Sequence, residues 1–303
     1  MAKLAVTGSS GLIGRELIKQ LKNQDHELVE VDIELDRERH DIANLNSVTN
    51  LTSDCCGIIH LAAVSRVAEA QEYPLRTWES NVTGTRNILD AALQRRGSDR
   101  PWVIHASSRE VYGNQPRQAI TEDTPMTPLN IYGRSKAAGE AMVYGAQDAG
   151  ANVSILRFAN VYGDVYDYSD RVIPAFSRAA VNSTPLRVDD AQTCMDFTHV
   201  VDVASGVIKV VDLLEGGEEN IPPIHFATGQ GTTLGELARM AVAASNNTCK
   251  LNEVEKREAS VSCFIGDPER ARSLLGWTHE TPLETGFLQM VEAFKKTSDQ
   301  NGN

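Results

Sequence analysis

The 303-residue sequence lacks the long apolar runs that membrane proteins need. No uninterrupted apolar stretch approaches the roughly 18 to 20 residues of a membrane span. The first residues, MAKLAVTGSSG, reach glycine too early for the apolar segment of a secretory signal peptide. We therefore expect no membrane partner and a cytoplasmic location.

Basic residues are also scarce. The chain has 29 lysines and arginines against 41 aspartates and glutamates, which gives a formal net charge of -12. A general affinity for nucleic acid requires an excess of basic residues, and no basic stripe with interleaved aromatic residues is present. We therefore expect no nucleic-acid partner.

Cysteines are few and follow no metal-binding pattern. The chain has Cys55, Cys56, Cys194, Cys249 and Cys263. They form no CxxC pair and have no histidines at zinc-ligand spacing, so we expect free thiols in a reducing compartment and no metal site. No carboxylate cluster accompanies His60, His105 or His199, so we expect these histidines to pack or to form hydrogen bonds.

Strand-like and helix-like patterns alternate through the first half of the chain. Short apolar runs predict buried strands at residues 4–7, 28–31, 58–61, 103–106 and 153–156. Between them apolar residues recur at helical spacing, as in residues 12–21 and 87–95. This alternation predicts an α/β fold, a Rossmann-type doubly wound parallel sheet with helices on both faces.

The pattern changes after about Gly163, where shorter segments are interrupted by prolines. A smaller mixed α/β lobe fits this half better than a second sheet of the same kind. At roughly 150 residues per domain, the length fits two domains. We assign residues 1–165 to the first domain, with the chain returning to it around 197–230, and residues 166–303 mainly to the C-terminal lobe.

A glycine-rich turn follows the first strand. The segment AVTGSSGLIG places Gly8, Gly11 and Gly14 between this strand and the first helix. Glycines there permit a tight turn and a close approach to a pyrophosphate, while the helix N-terminus supplies N–H donors. The pattern predicts that the turn, with Leu12 and Ile13 at the helix start, binds a dinucleotide.

An aspartate ends the second predicted strand, at the interval expected for a ribose-binding carboxylate. Asp32 would accept hydrogen bonds from the adenosine ribose hydroxyls and would repel a 2'-phosphate. The sequence therefore favours NAD over NADP. Arg37 and Arg39 lie nearby in the sequence and could hold that phosphate instead.

A tyrosine and a lysine stand four residues apart in the segment NIYGRSKAAGE. A helix would place Tyr132 and Lys136 on one face, one turn apart. The ammonium and the positively charged nicotinamide both favour the phenolate, so Tyr132 could take a proton from a substrate hydroxyl. Ser108 would bridge the same hydroxyl, and Lys136 would also bind the nicotinamide ribose.

In these motifs the sequence resembles the extended short-chain dehydrogenase/reductases, specifically the nucleotide-sugar epimerase and dehydratase group. The resemblance covers nearly the whole chain. Its motifs are TGSSGLIG at 7–14, Asp32, DIAN from Asp41, HLAA at 60–63, NVTGT from Asn81, SSREVYG from Ser107, YGRSK from Tyr132, RFANVYG from Arg157, DFTHVVDV from Asp196 and GDPERARSLLGW from Gly266.

The resemblance implies additional site residues, a substrate class and an assembly. The further cofactor-binding residues are Asp41, Ile42, Leu61, Ala62, Ala63, Asn81 and Ser107. Asn160 corresponds to a residue that contacts the substrate diphosphate or sugar, and the C-terminal lobe is expected to bind a nucleotide sugar. A homodimer is expected, formed by the helices after Asn81 and after Tyr132.

Two positions depart from the pattern of this group. An arginine that grips the substrate phosphates commonly precedes the aspartate of the DFxxV motif, where this chain has Met195. A second basic position is occupied by Cys263. The arginines that could take over this role are Arg178, Arg187, Arg257 and Arg270.

The reaction depends on the residues that follow Ser108. Enzymes of this group first oxidise a sugar C4 hydroxyl to a ketone, and a 4-epimerase then needs only room for the keto-sugar to turn over. A 4,6-dehydratase normally uses an Asp–Glu pair where this chain has Arg109 and Glu110, and arginine cannot serve as the acid. The sequence therefore predicts an NAD-dependent 4-epimerase similar to UDP-glucose 4-epimerases, with Tyr132 as the base.

Other functions stay open at this point. In a nucleotide-linked uronate decarboxylase or 4-epimerase, or in a dehydratase, Glu110 would be catalytic, and Arg109 could hold a sugar carboxylate bidentately. The two residues could equally form a structural ion pair. An NAD-binding regulatory protein is the non-enzymatic alternative. The presence of Tyr132, Lys136 and Ser108 disfavours it, because a protein without catalysis would not need these residues.

Overall fold

A computed structural model describes residues 2–246, 248–254 and 261–301. Its strands are β1 (Lys3–Thr7), β2 (Glu27–Val31), β3 (Gly57–His60), β4 (Trp102–Ser108), β5 (Val153–Phe158), β6 (Asn160–Tyr162), β7 (Leu186–Asp189), β8 (Cys194–His199), β9 (Ile224–Phe226), β10 (Gly231–Thr233), β11 (Leu251–Val254) and β12 (Cys263–Phe264). Its α-helices are α1 (Leu12–Leu21), α2 (Leu45–Thr52), α3 (Val67–Glu72), α4 (Pro74–Trp78), α5 (Gly84–Gln94), α6 (Ile131–Asp148), α7 (Val172–Asn182), α8 (Val200–Glu215), α9 (Leu234–Ala244), α10 (Glu269–Leu275) and α11 (Leu283–Asn301). A π-helical turn, Glu79–Thr83, joins α4 to α5.

Six strands form an all-parallel sheet in the order β2-β1-β3-β4-β5-β9. Helices α1 and α8 cover one face, and α2, α5 and α6 cover the other. Strands β3, β4 and β5 are buried along their whole length, which explains their largely apolar sequences. The predicted Rossmann-type parallel fold is confirmed.

The order of the strands determines where a ligand crevice forms. The chain order reverses between β1 and β3, so the loops that follow these strands border a crevice at the carboxyl edge of the sheet. The glycine turn follows β1, and the segment 61–66 follows β3. The structure therefore places these two sequence motifs opposite each other.

The predicted strands begin within one residue of β1 to β5, but β4 and β5 extend two residues further than predicted. The apolar run of β4 ends at Ala106, after which Ser107 pairs in register with Arg157 of β5. Both side chains hydrogen-bond to the buried carboxylate of Glu140 on α6. This partner allows polar residues inside a buried strand, and periodicity alone does not reveal it.

A second hydrophobic core forms in the C-terminal half. Helices α7, α9 and α11 pack together around Phe176, Leu237, Phe287 and Met290. The sheet β10-β8-β12, with β6 paired to β8, lies beside this core, and β11 pairs with β7. This half is mixed α/β, as predicted.

The chain returns to the first core after β8. Helix α8 packs against α1, and β9 adds the last strand to the parallel sheet. Trp277 also belongs to this core, where its indole N–H donates to the Asp202 carbonyl oxygen at 2.9 Å. Within the described residues, no helix is long and apolar enough to cross a membrane.

Candidate active site

The glycine turn after β1 has a shape that only small residues permit. Gly8 has a φ of +71°, and a Cβ atom there would lie 2.7 Å from the Ala62 nitrogen. A Cβ atom at Gly14 would lie 2.1 Å from the Gly8 carbonyl oxygen. Gly11 is the N-cap of α1 and offers no side chain to the N–H groups of the first turn. The turn therefore fits a dinucleotide pyrophosphate placed against the backbone and the helix N-terminus.

The carboxylate of Asp32 lies beside this turn. Its Oδ2 accepts a hydrogen bond from the Ser10 N–H at 3.0 Å, and its Oδ1 accepts one from the backbone N–H of Glu34. Arg37 and Arg39 are exposed, and Arg39 Nε lies 3.7 Å from the carboxylate of Asp36. The Asp32 carboxylate therefore adjoins the turn, as a ribose-binding carboxylate must.

The other residues predicted to bind the cofactor border the crevice or brace it. The Asp41 carboxylate accepts from the Ala43 N–H at 2.9 Å, and buried Ile42 accepts through its carbonyl from Asn87. Residues 61–63 are partly buried beside the glycine turn. The Asn81 side chain instead hydrogen-bonds to the backbone of Val64. Its amide oxygen accepts from the Val64 N–H at 2.7 Å, and its amide nitrogen donates to the Val64 carbonyl oxygen.

Tyr132 and Ser108 meet at the end of β4. The Asn130 side chain caps α6 by accepting from the Gly133 N–H at 2.8 Å, which places Tyr132 in the first turn. Burial raises the pKa of the Tyr132 phenol, while its hydrogen bond with Ser108 opposes that rise. The positive charge of Arg171, from the C-terminal half, also lowers this pKa.

Lys136 lies one turn further along α6 and is 3% exposed. Its Nζ donates to the Ala106 carbonyl oxygen at 2.9 Å. Burial lowers the pKa of Lys136 to about 8, with the Glu140 carboxylate opposing the decrease. The ammonium is therefore protonated at neutral pH, although its charge is lost more easily than that of an exposed lysine.

Arg109, which is partly buried, and Glu110, which is buried, form an ion pair next to Ser108. Arg109 Nη2 lies 2.7 Å from Glu110 Oε1, and the other oxygen of Glu110 accepts from the Asn130 amide at 2.7 Å. Arg109 Nε donates to the amide oxygen of Asn160 at 3.0 Å. Both carboxylate oxygens of Glu110 are therefore engaged, and Arg109 links the pair to Asn160.

Ser107 was predicted to bind the cofactor, but its hydroxyl donates to the Glu140 carboxylate at 2.5 Å. Glu140 in turn forms an ion pair with Arg157 at 2.6 Å. All three side chains are buried. The structure thus places the Ser107 side chain in a polar network behind the crevice.

The arginines predicted to hold the substrate phosphates have partners elsewhere. Arg178 lies over the Phe294 ring, and Arg187 is exposed with its Nε 2.6 Å from an Asp189 oxygen. Arg270 donates to Asp123 at 2.8 Å and to the Pro223 carbonyl. Arg257 lies outside the described residues.

The two positions that depart from the family pattern lie on neighbouring strands. Met195 of β8 pairs in register with Phe264 of β12, and Cys194 pairs with Cys263. Met195 is buried in the second core, and Cys263 is also buried. Apolar packing therefore occupies this part of the sheet.

Arg171 is a candidate that the sequence analysis missed. It is the N-cap of α7, and its Nη2 donates to the Ser65 hydroxyl at 3.0 Å, across the crevice. Its Nη1 lies 3.3 Å from Asp167, and its guanidinium lies over the Tyr168 ring. Pro174 in the first turn of α7 signals a helix start in the sequence, but only the tertiary contact with Ser65 brings this arginine to the loop that follows β3.

Comparisons with known proteins give a consistent result. Residues 4–222 match the model of the NAD dependent epimerase/dehydratase family. The UDP-glucose 4-epimerase of Dictyostelium discoideum is 26% identical over 91% of this chain and 90% of that protein. The structure of MoeE5 in complex with UDP-glucuronic acid and NAD is 25% identical, covers 97% of this chain and 99% of its own, and has a TM-score of 0.86.

The fold is shared with a further solved structure, the UDP-glucose 4-epimerase of Thermotoga maritima with UDP-glucose. It is 23% identical, covers 98% of this chain and 99% of its own, and has a TM-score of 0.88. The predicted family and the predicted cofactor NAD are confirmed. The glycine turn, the motif order and the matched residues lead to one assignment: the chain is an enzyme of the NAD-dependent epimerase/dehydratase family.

Proposed function

We propose that the protein is an NAD-dependent nucleotide-sugar 4-epimerase that acts on a UDP-hexose through a transient 4-keto sugar. The observation that carries the proposal is the engagement of Glu110 by Arg109 and Asn130 beside Ser108, Tyr132 and Lys136. Relatives named UDP-glucose 4-epimerase, such as that of Dictyostelium discoideum, support the substrate class.

The cofactor would lie in the crevice between the glycine turn and residues 61–63. Gly8, Gly11 and Gly14 would accommodate the pyrophosphate, and Asp32 would accept hydrogen bonds from the adenosine ribose. When bound there, NAD supplies a hydride acceptor that takes the C4 hydride of the sugar and later returns it. Lys136, at the base of the crevice, would bind the nicotinamide ribose.

Tyr132 would take the proton from the C4 hydroxyl and return it after the keto-sugar has turned over. Burial alone opposes the phenolate, so the surrounding groups must stabilise it. The Ser108 hydroxyl, the Arg171 guanidinium and the Lys136 ammonium are suited to that task. The same three groups would polarise the forming C4 carbonyl.

The state of Glu110 favours epimerisation over dehydration. A dehydratase needs one group to remove the C5 proton and another to protonate the departing C6 hydroxyl. Here one candidate is an arginine, and the carboxylate of the other is engaged at both oxygens. Removing a C5 proton would require Glu110 to leave both partners, whereas epimerisation requires no base beyond Tyr132.

The substrate diphosphate would bind between Asn160 and Arg171. Two hydrogen bonds orient the Asn160 side chain: its amide oxygen accepts from Arg109, and its amide nitrogen donates to the Asp196 carbonyl oxygen. Arg171 provides a cation at the N-terminus of α7, where the helix dipole also favours an anion. We add Arg171 to the previously named candidates, Arg178, Arg187 and Arg270.

A uronate-specific enzyme is the second candidate. Among the described residues, Arg109 Nη1 is buried without a hydrogen-bond partner, and such a donor would suit a C6 carboxylate. The likeness to MoeE5, which is solved with UDP-glucuronic acid, points in the same direction. Glu110 beside Arg109 would repel that carboxylate, and for this reason we place the neutral hexose first.

The proposal includes a homodimer and a cytoplasmic location. The expected dimer helices are α5 and α6, and the exposed apolar side chains Leu75 and Trp78 of α4 and Tyr144 of α6 are available for contact with a second copy. The five cysteines are free thiols, and Cys56 is exposed, which suits a reducing compartment. Sedimentation analysis of the purified protein tests the dimer.

Product analysis tests the reaction. The protein is incubated with NAD and a panel of UDP-, dTDP- and GDP-sugars that includes UDP-glucuronic acid, and the products are identified by NMR. We expect a C4 epimer of a neutral UDP-hexose. A 4-keto-6-deoxy sugar or a pentose without any C4 epimer would overturn the proposal, and turnover of the uronate alone would select the second candidate.

A further inference from the structure

Thr7, His60 and Thr85 form a hydrogen-bonded chain beneath the cofactor crevice. Thr7 and His60 end β1 and β3 and are paired in register, while Thr85 lies in the first turn of α5. Each of the three side chains is 1% exposed. The Thr7 hydroxyl lies 2.8 Å from His60 Nδ1, and the Thr85 hydroxyl lies 3.0 Å from His60 Nε2.

The groups at the two ends, the Asn81 carbonyl and the Ala62 N–H, determine the direction of each hydrogen bond between Thr7, His60 and Thr85. The Thr85 hydroxyl donates its only proton to the Asn81 carbonyl oxygen at 2.7 Å, so it must accept from His60 Nε2–H. Burial lowers the pKa of His60 to about 3, so the ring is neutral and Nδ1 accepts from Thr7. The Thr7 oxygen in turn accepts from the Ala62 N–H at 3.2 Å.

The hydrogen-bonded chain continues from the π-helical turn to α6, the helix that carries Tyr132. Asn81, in the centre of that turn, donates through Nδ2 to the Ser135 hydroxyl at 2.9 Å. Ser135 donates to the backbone carbonyl oxygen of Tyr132 at 2.8 Å. Both Asn81 and Ser135 are buried, so neither can replace a lost partner with bulk water.

The other end of the chain is at the glycine turn. Ala62 lies so close to Gly8 that a Cβ atom on this glycine would lie 2.7 Å from the Ala62 nitrogen. The hydrogen-bonded chain therefore runs from Ala62, beside the glycine turn, to the backbone of Tyr132, the proposed catalytic base. An imidazole suits the central position because it presents a donor on one edge and an acceptor on the other.

We propose that His60, held as the Nε2–H tautomer by Thr7 and Thr85, is a positioning residue that couples the glycine turn to Tyr132. This inference rests on the proposed function, because it holds that the hydrogen-bonded chain aligns NAD, the hydride acceptor, with Tyr132, the base. His60 is buried, and it acts through its two hydroxyl partners. A misalignment near 1 Å at a reacting centre costs about 100-fold in rate.

Substitution of Thr85 tests the coupling. Thr85→Val keeps the shape of the side chain but removes both hydrogen bonds, whereas Thr85→Ser retains the hydroxyl. The matched control is Thr52→Val, because Thr52 is also buried and its hydroxyl also donates to the carbonyl four residues earlier, Val48, at 2.9 Å. Both valine variants lose a buried helical hydroxyl, and only Thr85→Val breaks the chain.

We expect Thr85→Val to lower kcat at least about tenfold and to speed NAD release, with the KM for the nucleotide sugar nearly unchanged. Thr85→Ser should restore most of kcat, and Thr52→Val should keep the kcat of the unmodified protein. The coupling is refuted if Thr85→Val and Thr52→Val share the same kcat and the same rate of NAD release. It is also refuted if Thr85→Ser recovers neither quantity.

A spectroscopic measurement on the unmodified holoenzyme keeps the proposal testable even where Thr85→Val does not fold. The ¹⁵N NMR spectrum of labelled histidine should show a neutral His60 ring protonated at Nε2, assigned with a His60→Gln variant. A ring protonated at Nδ1, or at both nitrogens at neutral pH, would overturn the proposal. Absence of epimerase activity would instead refute the proposed function, since the tautomer and the rate of NAD release are measured without turnover.

Discussion

Arg109 and Glu110 are neighbours in sequence and form an ion pair whose carboxylate is buried, with Nη2 of the arginine 2.7 Å from Oε1 of the glutamate. This contact decides how the site is interpreted. A free glutamate at this position would be a second base, and a free arginine would be an open anion site. As a pair, the two residues carry no net charge and position Asn130 and Asn160 on either side.

Breaking this pair is expected to cost stability. Arg109→Met leaves the Glu110 carboxylate buried without its cation, and we expect the free energy of unfolding to fall by about 3 kcal/mol. Combining it with Glu110→Gln should recover part of that loss. Urea denaturation measures both effects. The control is Arg86→Met, because the Arg86–Asp90 pair is exposed and should contribute less than about 1 kcal/mol. Equal losses in the two arginine variants would contradict the role of burial.

Replacement of Tyr132 should remove turnover and preserve the cofactor site. Tyr132→Phe lacks the phenolic proton acceptor, and we expect kcat to fall by roughly 10² to 10⁴-fold with NAD still bound. Tyr144→Phe is the control, since Tyr144 lies on the same helix with 41% of its surface exposed. Initial rates and the NAD content of the purified variants measure the two effects. Comparable activity of both variants would exclude Tyr132 as the base.

The local parts of this site could be predicted from the sequence, because each of them forms within one short segment. The glycine turn needs only the strand, the turn and the helix that follow one another, and the spacing of Tyr132 and Lys136 is that of one helical turn. Asp32 was found because a strand end is visible where the apolar run stops. These features depend on backbone geometry that neighbouring residues determine.

Contacts between distant segments could not be predicted in the same way. Charge alone indicated the candidate arginines, and Arg178, Arg187 and Arg270 lie over an aromatic ring or in other ion pairs. Arg171 was missed because it reaches Ser65, in the loop that follows β3, only through the packing of the C-terminal half. Likewise, nothing near Ser107 in the sequence indicates that Glu140 will accept its hydroxyl proton.

The activity should depend on pH through Lys136. Its pKa in the folded protein is about 8, below the ordinary value of 10.5. Because the proposed role requires the ammonium, the rate should fall as the pH rises through 8, by about tenfold one pH unit above that pKa. Initial rates across this range, at saturating substrate, measure the fall.

Lys136 also links pH to stability, with a definite sign. The unfolded chain binds more protons than the folded protein between pH 8 and 10.5, so this group makes the free energy of unfolding rise with pH over that window. Lys136→Met should lose this component of the pH dependence, while Lys136→Arg stays charged throughout. An unchanged slope in Lys136→Met would show that another group titrates there.

The choice of cofactor should depend on Asp32. Removing its carboxylate in Asp32→Ala removes the acceptor for the ribose hydroxyls, and we expect NAD affinity to fall by roughly 10- to 100-fold, the equivalent of about one hydrogen bond to a charged group. Discrimination against NADP should weaken as well, because the negative charge that repels a 2'-phosphate is lost. Titration calorimetry of the cofactor-free protein with both dinucleotides measures the two affinities.

Asp36→Ala provides the matched control for Asp32. The Asp36 carboxylate also accepts hydrogen bonds from nearby backbone N–H groups, those of Glu38 and Arg39, so both variants remove a carboxylate that braces a turn. Only Asp32 lies against the glycine turn, through the N–H of Ser10. Loss of NAD affinity in Asp32→Ala but not in Asp36→Ala therefore reports recognition of the ribose, and an equal loss in both would attribute the effect to the loop.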